Sequence, residues 1–273
     1  MQNIENVFSK KILGIIPAAG KAARIAPLPC SKEIYPIGFI ADKEGKIKSP
    51  KVVCHYLLEK MKIAGVNEVY IVLGDGKWDI PKYLGNGVLF DINIAYLIQG
   101  LTYGSPYTVD QAYPFVKDSV IVFGYPDVLF EPQDAFLSLL CKLEKCEADI
   151  ILGVFPVDNP QKVDMIDMSD DGKVRKIVIK PKQTDLQYAW GIAVWNPSFT
   201  YFMHKYLHNK GNIQPSHPEL HMGDVIQAAI LEGLNVEGLL VSESPLLDIG
   251  TGDDLLKAVK RLVGHKERRV NTL

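Results

Sequence analysis

Residues 12–24 read ILGIIPAAGKAAR, and this stretch passes from a short apolar run into a loop of small residues. The run at residues 12–16 is too brief for a helix and ends at Pro17, which is typical of a fully buried strand. The small side chains at residues 18–23 leave the backbone N–H groups accessible, and successive N–H groups form a concavity for anionic oxygens. We therefore predict a strand that leads into a phosphate-binding loop, with a tightly packed strand-to-coil junction as the alternative.

Apolar runs and helical periodicities alternate along the rest of the first half of the chain. Strands are predicted at residues 69–73, 92–98, 120–123 and 150–155, and helices at residues 52–63 and 134–145. The proline-rich segment between Pro27 and Pro36 is predicted to contain neither regular helix nor central strand, because proline fixes the backbone and removes a donor. Strands that alternate with helices form a parallel-rich sheet covered on both faces, so the pattern predicts an α/β fold.

The second half of the chain adds a hairpin pattern. Asp170-Asp171-Gly172 separates strand-like runs at residues 165–168 and 174–179, as a tight β-turn would. Further strands are predicted at residues 189–195 and 236–241, and helices at residues 199–207, 224–231 and 253–263. Neither a linker nor an internal repeat divides the chain, so a single α/β domain is the simplest interpretation.

Composition and charge exclude several classes of protein. The chain of 273 residues is 47% hydrophobic and 23% charged, which is the composition of a soluble globular protein rather than a disordered one. A formal charge of -2 argues against a nucleic-acid partner, and no apolar run approaches the roughly 20 residues that a membrane helix needs. The first residues lack the order of a signal peptide, and the four cysteines include no C-x-x-C pair, so we expect a reduced, cytoplasmic protein: Cys30, Cys54, Cys141 and Cys146.

The segment PAAGKAARIAPLPCSKEIYPIG, at residues 17–38, resembles the signature of the sugar-1-phosphate nucleotidyltransferases, G-G-x-G-T-R-L-x-P-x-x-x-x-x-P-K. Among these enzymes it is most similar to bacterial UDP-glucose pyrophosphorylases and glucose-1-phosphate thymidylyltransferases. The resemblance implies that Arg24 contacts the nucleotide phosphates and that Lys32 is the signature lysine. It also implies that the nucleotide is bound by four loop residues: Ala18, Ala19, Gly20 and Lys21.

The loop departs from that signature. Ala19, Ala22 and Ala23 stand where glycine, glycine and threonine are usual, and Ser31 replaces the proline before the lysine. Alanine keeps the loop small but lacks the freedom of glycine at positive φ. An A-A-G start also occurs in related cytidylyltransferases, whereas the dinucleotide fingerprint G-x-G-x-x-G and the Walker A motif are absent.

Two further landmarks of the resemblance lie before residue 130. Gln99 and Gly104, in QGLTYGSP, are similar to the segment that reads the base in this family. An amide side chain can donate and accept hydrogen bonds, so Gln99 can address the edge of uracil or thymine, although a strand end followed by a turn is the structural alternative. Asp127 follows a buried strand in Pro-Asp-Val, at the strand end where open α/β sheets bind ligands. Its carboxylate suits an oxygen-preferring cation, and its alternative role is that of a turn residue.

The remaining landmarks lie in the second half. Lys180, in IKPK, resembles the E-K-P lysine that holds the sugar phosphate, but the glutamate that normally holds sugar hydroxyl groups is Ile179 here. Gly191 matches the glycine whose backbone approaches the sugar. Asp248, in LDIGTG, is similar to the family's second metal-binding aspartate, and only the resemblance pairs it with Asp127.

The resemblance implies a single Rossmann-like nucleotidyltransferase domain at residues 11–263, between tails at residues 1–10 and 264–273. Its mixed, mostly parallel central sheet is flanked by helices. A nucleotide-binding half at about residues 11–130 precedes a sugar-phosphate-binding half at about residues 131–263, into which the β-hairpin is inserted. The implied reaction joins UTP or dTTP to a sugar-1-phosphate and releases pyrophosphate, with Mg²⁺ held by Asp127 and Asp248.

Catalytic roles are implied for Arg24, Lys32, Asp127 and Lys180, and self-association into a homo-oligomer is plausible for such a chain. Two alternatives stay open: a non-catalytic module that binds a nucleotide or sugar nucleotide, and cytidylyl transfer to another phosphorylated substrate. Asp224 is predicted to cap a helix rather than to take part in chemistry. The histidine pairs His204/His208 and His217/His221 lack the glutamate of H-E-x-x-H and are predicted to be surface or partly packed residues.

Overall fold

A nine-stranded mixed sheet organises the part of the chain that the computed structural model describes, namely residues 10–42, 44, 46–100, 103–211 and 218–270. For residue 48 and residues 263–270, only the backbone is described. In chain order the strands are β1 Ile12–Ala18, β2 Pro36–Ala41, β3 Ile47–Val52, β4 Glu68–Gly74, β5 Asn93–Gln99, β6 Val120–Gly124, β7 Val128–Leu129, β8 Ile150–Pro156, β9 Met165–Met168, β10 Val174–Val178, β11 Tyr188–Trp195, β12 Val236–Leu240 and β13 Leu247–Asp248. The α-helices are α1 Val53–Ile63, α2 Asp79–Leu84, α3 Ser105–Asp110, α4 Tyr113–Val116, α5 Ala135–Lys145, α6 Pro197–Asn209, α7 Met222–Leu231 and α8 Gly252–Val270.

The strand order of the central sheet is β10-β9-β11-β6-β1-β4-β5, and β8 pairs with both β11 and β12. Seven of the nine strands described in this sheet run in one direction, while β10 and β11 run the opposite way. The sheet is therefore mixed and mostly parallel, as predicted. Because β1, β4, β5 and β6 are parallel neighbours, their carboxyl ends lie along one edge, where open α/β sheets bind ligands.

Both faces of the sheet are covered, which explains the unbroken apolar runs. All seven residues of β1 are buried. One face packs against α1 and α5, through side chains such as Leu57 and Phe136. The other face packs against α3, α6 and α7, through side chains such as Phe199 and Val225. Burial of each such side chain contributes about 1.5–3 kcal/mol, so the two layers fix the strand ends that carry the site.

The predicted strands and helices of the central layer are all present, with ends shifted by a few residues. The hairpin of β9 and β10 is confirmed, with Gly172 at φ 91 in its turn. The proline-rich segment contains no α-helix and no strand of the central sheet; its only described strand, β2, pairs with β3 in a separate two-stranded sheet that the sequence did not predict. This position suits proline, which is confined to strands with an open edge.

The last helix is longer than its pattern predicted. The apolar periodicity ends near Val263, but the backbone of α8 stays helical through Val270, into residues expected to be a tail. Lysine, glutamate and arginine in that stretch are good helix formers, so the helix continues after the apolar stripe has ended. Within the described residues, none of the helices combines the length and the apolar character that crossing a membrane would require.

Candidate active site

The loop after β1 crosses the carboxyl end of the neighbouring strand. Ala18 and Ala19 are buried, whereas Gly20 and Lys21 are exposed. A Cβ atom at Gly74, the last residue of β4, would lie 2.6 Å from the carbonyl oxygen of Ala19, so the loop rests directly on that strand end. Among the described residues, no hydrogen bond uses the backbone N–H groups of residues 20–23. These N–H groups are therefore open to an anionic ligand.

Ala22 adopts the backbone conformation that glycine would favour at this position. Its φ is 52, and the turn is closed by a hydrogen bond of 3.1 Å from the N–H of Ile25 to the carbonyl of Ala22. A single non-glycine residue in this region costs on the order of 1–2 kcal/mol. The departure from the signature thus changes the energy of the loop but not its left-handed turn.

Lys32 lies in a short 3₁₀ turn that is fixed on both sides. The N–H and hydroxyl groups of Ser31 each donate to the Asp79 carboxylate at 2.7 Å. On the other side, Lys77 Nζ lies 2.5 Å from a carboxylate oxygen of the buried Glu33. Burial raises the pKa of Glu33, and the charge of Lys77 opposes that rise. Lys77 and Asp79 were missed from the sequence because they belong to no motif and follow β4, far along the chain.

The two predicted metal-binding aspartates are neighbours across a short ladder. β7 and β13 pair antiparallel, with Asp248 opposite Val128, and the N–H of Ile249 donates to the carbonyl of Asp127 at 2.9 Å. This ladder brings together residues that sequence spacing alone could not connect. The carboxylates therefore stand side by side at the edge of the sheet, next to the loop after β1.

Two cations face this carboxylate pair. Lys32 Nζ forms a largely buried ion pair with Asp127 Oδ2, and Arg24 Nη2 lies 4.0 Å from Asp248 Oδ2. A Cβ atom at Gly250 would lie 3.0 Å from Arg24 Nη2, so the absence of a side chain there admits the guanidinium. Two ion pairs and the repulsion between the aspartates thus join four of the five charged groups that were predicted to share one crevice: Arg24, Lys32, Asp127 and Asp248.

The charges of this cluster are strongly coupled. Burial, and then the nearby Asp127 carboxylate, raises the pKa of Asp248 to about 6, although Lys32 and Arg24 oppose the rise. Burial lowers the pKa of Lys32, but attraction to Asp127 and the hydrogen bond to it, together with the charges of Asp248 and Glu33, outweigh burial, and the net pKa is raised. The carboxylates of Asp127 and Asp248 repel each other, and this repulsion favours protonation. A hard divalent cation bound by both carboxylates would relieve the repulsion.

A side-chain hydrogen bond fixes Gln99, whereas close contact between two backbone segments fixes Gly104. Gln99 ends β5 beside Gly74, and its buried Oε1 accepts a hydrogen bond of 2.7 Å from the Thr108 hydroxyl. Thr108 thereby orients the amide so that its Nε2 hydrogens face away from it. Gly104 has φ 112, and a Cβ atom there would lie 1.9 Å from the carbonyl oxygen of Leu220, so contact between two backbone segments already requires glycine.

The half of the chain that was predicted to bind the sugar phosphate contributes a second group of polar residues. Lys180 follows β10, is exposed and has φ 38, a strained conformation for a lysine. Its electrostatic contact is with Asp164, a residue that carried no recognisable sequence signal. Gly191 lies at a bulge of β11, where a Cβ atom would lie 2.4 Å from Leu246 Cδ2, immediately before β13.

Tyr125 connects the two groups. It precedes Asp127 by two positions, and its hydroxyl lies 3.2 Å from Ser105 Oγ. Burial raises its pKa, and the charges of Asp164 and Asp127 raise it further. Tyr125 is therefore within electrostatic range of both carboxylates. Among the described residues, the fifth predicted charge, Lys180, forms no ion pair with Asp127 or Asp248, and its charge acts on Asp164 instead.

The residues that were predicted to be structural behave as such where they are described. Asp224 caps α7, accepting a hydrogen bond of 2.8 Å from the N–H of His221. His204 Nδ1 lies 3.0 Å and 3.1 Å from the two Asp110 carboxylate oxygens, and its ring stacks on Tyr113 with centroids 3.6 Å apart. His208 lies close by, with the donor atoms of the trio within 4.8 Å of one another. His217 lies outside the described residues.

An open N–H loop, a cation pair and paired carboxylates at the carboxyl ends of an α/β sheet define a site for phosphate-bearing ligands. The chain belongs to the nucleotidyl transferase family, whose family model matches residues 13–264. The resemblance found in the sequence is thereby confirmed at the level of the family.

Known relatives agree with that assignment. The chain is 25% identical over 258 residues to the low-salt glycan biosynthesis nucleotidyltransferase Agl11 of Haloferax volcanii, covering 93% of this chain and 66% of that protein. It is also 25% identical over 249 residues to a glucose-1-phosphate thymidylyltransferase of Streptomyces antibioticus, covering 87% of this chain and 65% of the relative. The chain thus spans just under two thirds of the length of these relatives.

Solved structures share the fold. A Bacillus anthracis structure assigned as a glucose-1-phosphate thymidylyltransferase, in complex with sucrose, superposes with a TM-score of 0.76 at 20% identity, covering 92% of this chain and 95% of that one. A UDP-glucose pyrophosphorylase complexed with UDP-glucose superposes with a TM-score of 0.74 at 15% identity, covering 93% and 99%. These likenesses confirm the predicted single-domain, Rossmann-like architecture.

Proposed function

We propose that the protein transfers a nucleotidyl group from UTP or dTTP to a sugar-1-phosphate, giving an NDP-sugar and pyrophosphate. The observation that carries the proposal is the convergence of Arg24, Lys32, Asp127 and Asp248 beside the open loop after β1. Membership of the nucleotidyl transferase family supports the reaction class. The named activities of the thymidylyltransferase relative and of the pyrophosphorylase with the same fold support the choice of substrates.

The chemical obstacle in this reaction is repulsion between two anions. A phosphate oxygen of the sugar-1-phosphate attacks the α-phosphorus, the bond from that phosphorus to the β-phosphate oxygen breaks, and pyrophosphate leaves with the electron pair. The protein must hold the two phosphates in line and neutralise their charge, since positioning and electrostatics supply most of the rate.

The described residues divide this work by position. The N–H groups of residues 20–23 and the exposed guanidinium of Arg24 bind the triphosphate and then the departing pyrophosphate. Lys32, fixed beside Asp127, neutralises charge where the two substrates meet. Lys180, whose charge acts on Asp164, binds the phosphate of the sugar.

Asp127 and Asp248 would hold a magnesium ion, because two crowded carboxylates offer the hard oxygen ligands that it prefers. When bound, the ion supplies positive charge to the phosphate oxygens. Lys32 pairs with Asp127, so its ammonium group would share with the ion the neutralisation of charge on the substrate phosphates.

Gln99 would contact the base. Its Oε1 is engaged by Thr108, which leaves the Nε2 hydrogens to donate to a carbonyl oxygen of the base. Uracil and thymine both present such a carbonyl, so this contact accommodates UTP and dTTP alike.

Pyrophosphate release tests the proposal directly. UTP, dTTP and CTP are each incubated with glucose-1-phosphate, with other sugar-1-phosphates and with non-sugar phosphate monoesters, in the presence of Mg²⁺ or of EDTA. We expect metal-dependent release with UTP or dTTP and a sugar-1-phosphate. Nucleotide binding without release in every combination would instead identify a binding module, and release from CTP with only a non-sugar phosphate would identify a cytidylyltransferase.

A further inference from the structure

Asp164, just before β9, has a buried carboxylate oxygen without a partner. Its Oδ1 is inaccessible to solvent and makes no hydrogen bond among the described residues. Its Oδ2 lies 2.6 Å from the point where a Cβ atom at Gly223 would stand, at the start of α7, and the backbone of Gly223 stabilises the ionised form. The helix start therefore uses one oxygen and leaves the other without a donor. Buried oxygens of this kind are rare, because most buried polar groups are paired.

The surroundings of Asp164 act on its charge in opposite directions, and the net pKa is raised. Burial raises the pKa of Asp164, while the nearby His221 and Lys180 lower it. Tyr125 lies within the range of its charge. The ring of Trp190 also lies near Tyr125, with ring centroids 6.4 Å apart, and its buried Nε1 has no hydrogen-bond partner among the described residues. An unpaired acceptor and an unpaired donor thus both lie near the same tyrosine.

The position of Asp164 relative to Ile179 is set by the hairpin. Val178 of β10 is opposite Met165 of β9, so the next pair in the antiparallel register is Ile179 and Asp164. Ile179 Cδ1 lies 2.6 Å from the same Gly223 Cβ point as Asp164 Oδ2, so the two side chains are neighbours on one face. At Ile179 the resemblance predicts a carboxylate, and the structure places one on the opposing strand.

We propose that Asp164 is a specificity-determining residue that accepts hydrogen bonds from the hydroxyl groups of the sugar whose phosphate is bound by Lys180. The ligand class is the 1-phosphate of an uncharged sugar, or the sugar nucleotide formed from it, with free ring hydroxyl groups toward α7. Hydroxyl groups donate to a carboxylate and also accept from an indole N–H, so one sugar can satisfy both Asp164 and Trp190. This inference rests on the proposed function and adds the group that reads the sugar.

The test compares the affinity of a sugar nucleotide with that of its nucleoside diphosphate. Isothermal titration measures Kd for UDP-glucose and UDP, and for dTDP-glucose and dTDP, with wild type, Asp164→Asn and Asp164→Ala. We expect both variants to lose roughly ten- to hundredfold in affinity for the sugar nucleotide, the range for hydrogen bonds to a charged group, with the diphosphate affinity unchanged. Asp167→Asn, on β9, is the matched control and is expected to leave both affinities unchanged.

A rescue variant separates recognition from structural support. In Asp164→Ala/Ile179→Glu, the carboxylate returns from the opposing strand, and we expect the preference for the sugar nucleotide to be restored. A purely structural role predicts instead that Asp164→Ala lowers the melting temperature and that Ile179→Glu lowers it further without rescue.

The outcomes for this inference and for the proposed function differ. An unchanged ratio of the two affinities in both Asp164 variants overturns the role of Asp164, while pyrophosphate release by wild type leaves the proposed function in place. Failure of wild type to bind any of the four ligands and to release pyrophosphate with any substrate pair overturns both.

Discussion

The two halves of the site are built in different ways. In the nucleotide half, Lys32 is held by a clamped turn, and Asp127 and Asp248 are held by a backbone ladder. In the sugar half, Lys180 is exposed on a strained residue and Asp164 carries an unpaired oxygen. Under the proposed function, the residues for phosphate chemistry are fixed by the topology of the chain, whereas those for sugar recognition are single residues next to the β9–β10 hairpin. We therefore expect residue changes in the nucleotide half to affect turnover with every sugar substrate, and changes in the sugar half to affect the affinity for the sugar.

The largest effect should follow a change at the carboxylate ladder. Asp127→Asn keeps the shape of the side chain but removes the charge that holds Lys32 and would bind the metal. Because that charge serves every sugar substrate equally, we expect kcat to fall about a thousandfold with each sugar-1-phosphate that wild type accepts. Steady-state pyrophosphate release measures it. Asp134→Asn, at an exposed position, serves as a control and should keep the wild-type kcat. A fall in kcat confined to one sugar-1-phosphate would contradict the contrast between the two halves of the site.

Arg24 should have the next largest effect. Its side chain is 67% exposed and its distance to Asp248 is 4.0 Å, so Arg24→Ala should not lower stability. We expect kcat/KM for the nucleotide to fall about a hundredfold, because one phosphate-binding cation is lost. Arg24→Lys keeps the charge without the planar fork and should give an intermediate rate. Near-normal turnover of Arg24→Ala would remove this residue from the phosphate site.

The same contrast explains what could be predicted from the sequence. The strand before the loop, the hairpin and the helices follow from apolar periodicity, which acts over short distances along the chain. Arg24 and Lys32 follow from a contiguous motif. The pairing of Asp127 with Asp248 could be expected only from the resemblance, since it depends on the β7–β13 ladder.

Other parts of the site had no sequence signal. Lys77 and Asp79 hold the turn at Lys32 through an ion pair to Glu33 and a hydrogen bond from Ser31. These contacts depend on the packing of the loop after β4 against that turn, which is a property of the tertiary fold. Asp164 is one acidic residue among many in the sequence, and its importance comes from burial next to Ile179. Strand β3, which pairs with β2, could not be predicted from the sequence, because Lys48, Pro50 and Lys51 interrupt any apolar alternation.

A smaller effect should reveal the cost of crowding the carboxylates. The pKa of Asp248 is raised to about 6 by burial and by Asp127. The unfolded chain therefore loses this proton at a lower pH than the folded protein does. Stability is therefore lost as pH rises from about 4 to 6, and this loss persists at higher pH. With EDTA present, we expect Asp248→Asn to raise the free energy of unfolding by about 1–2 kcal/mol above pH 6, after allowance for partial exposure. In separate assays with Mg²⁺, we expect the same variant to lose turnover.

Urea unfolding at several pH values checks this expectation. The gain from Asp248→Asn should become small near pH 4 and vanish below about pH 3, where the wild-type carboxyl group is neutral in both states. Asp253→Asn, an exposed position in the first turn of α8, should show no such pH-dependent gain. A gain that is constant from pH 4 to pH 8 would mean that repulsion between the aspartates is not its cause.

The smallest effect concerns the loop whose alanines depart from the signature. Ala22 has φ 52, a conformation that glycine adopts without steric cost, so Ala22→Gly should raise the free energy of unfolding by about 0.5–1 kcal/mol. Ala23 is not among the residues at positive φ, and Ala23→Gly should instead lower stability by a similar amount through the entropy of the unfolded chain. Because the loop already has its left-handed turn, Ala22→Gly should leave KM for the nucleotide unchanged. A large fall in that KM would show that the alanine holds the loop away from its binding conformation, so that residue choice matters in the nucleotide half as well.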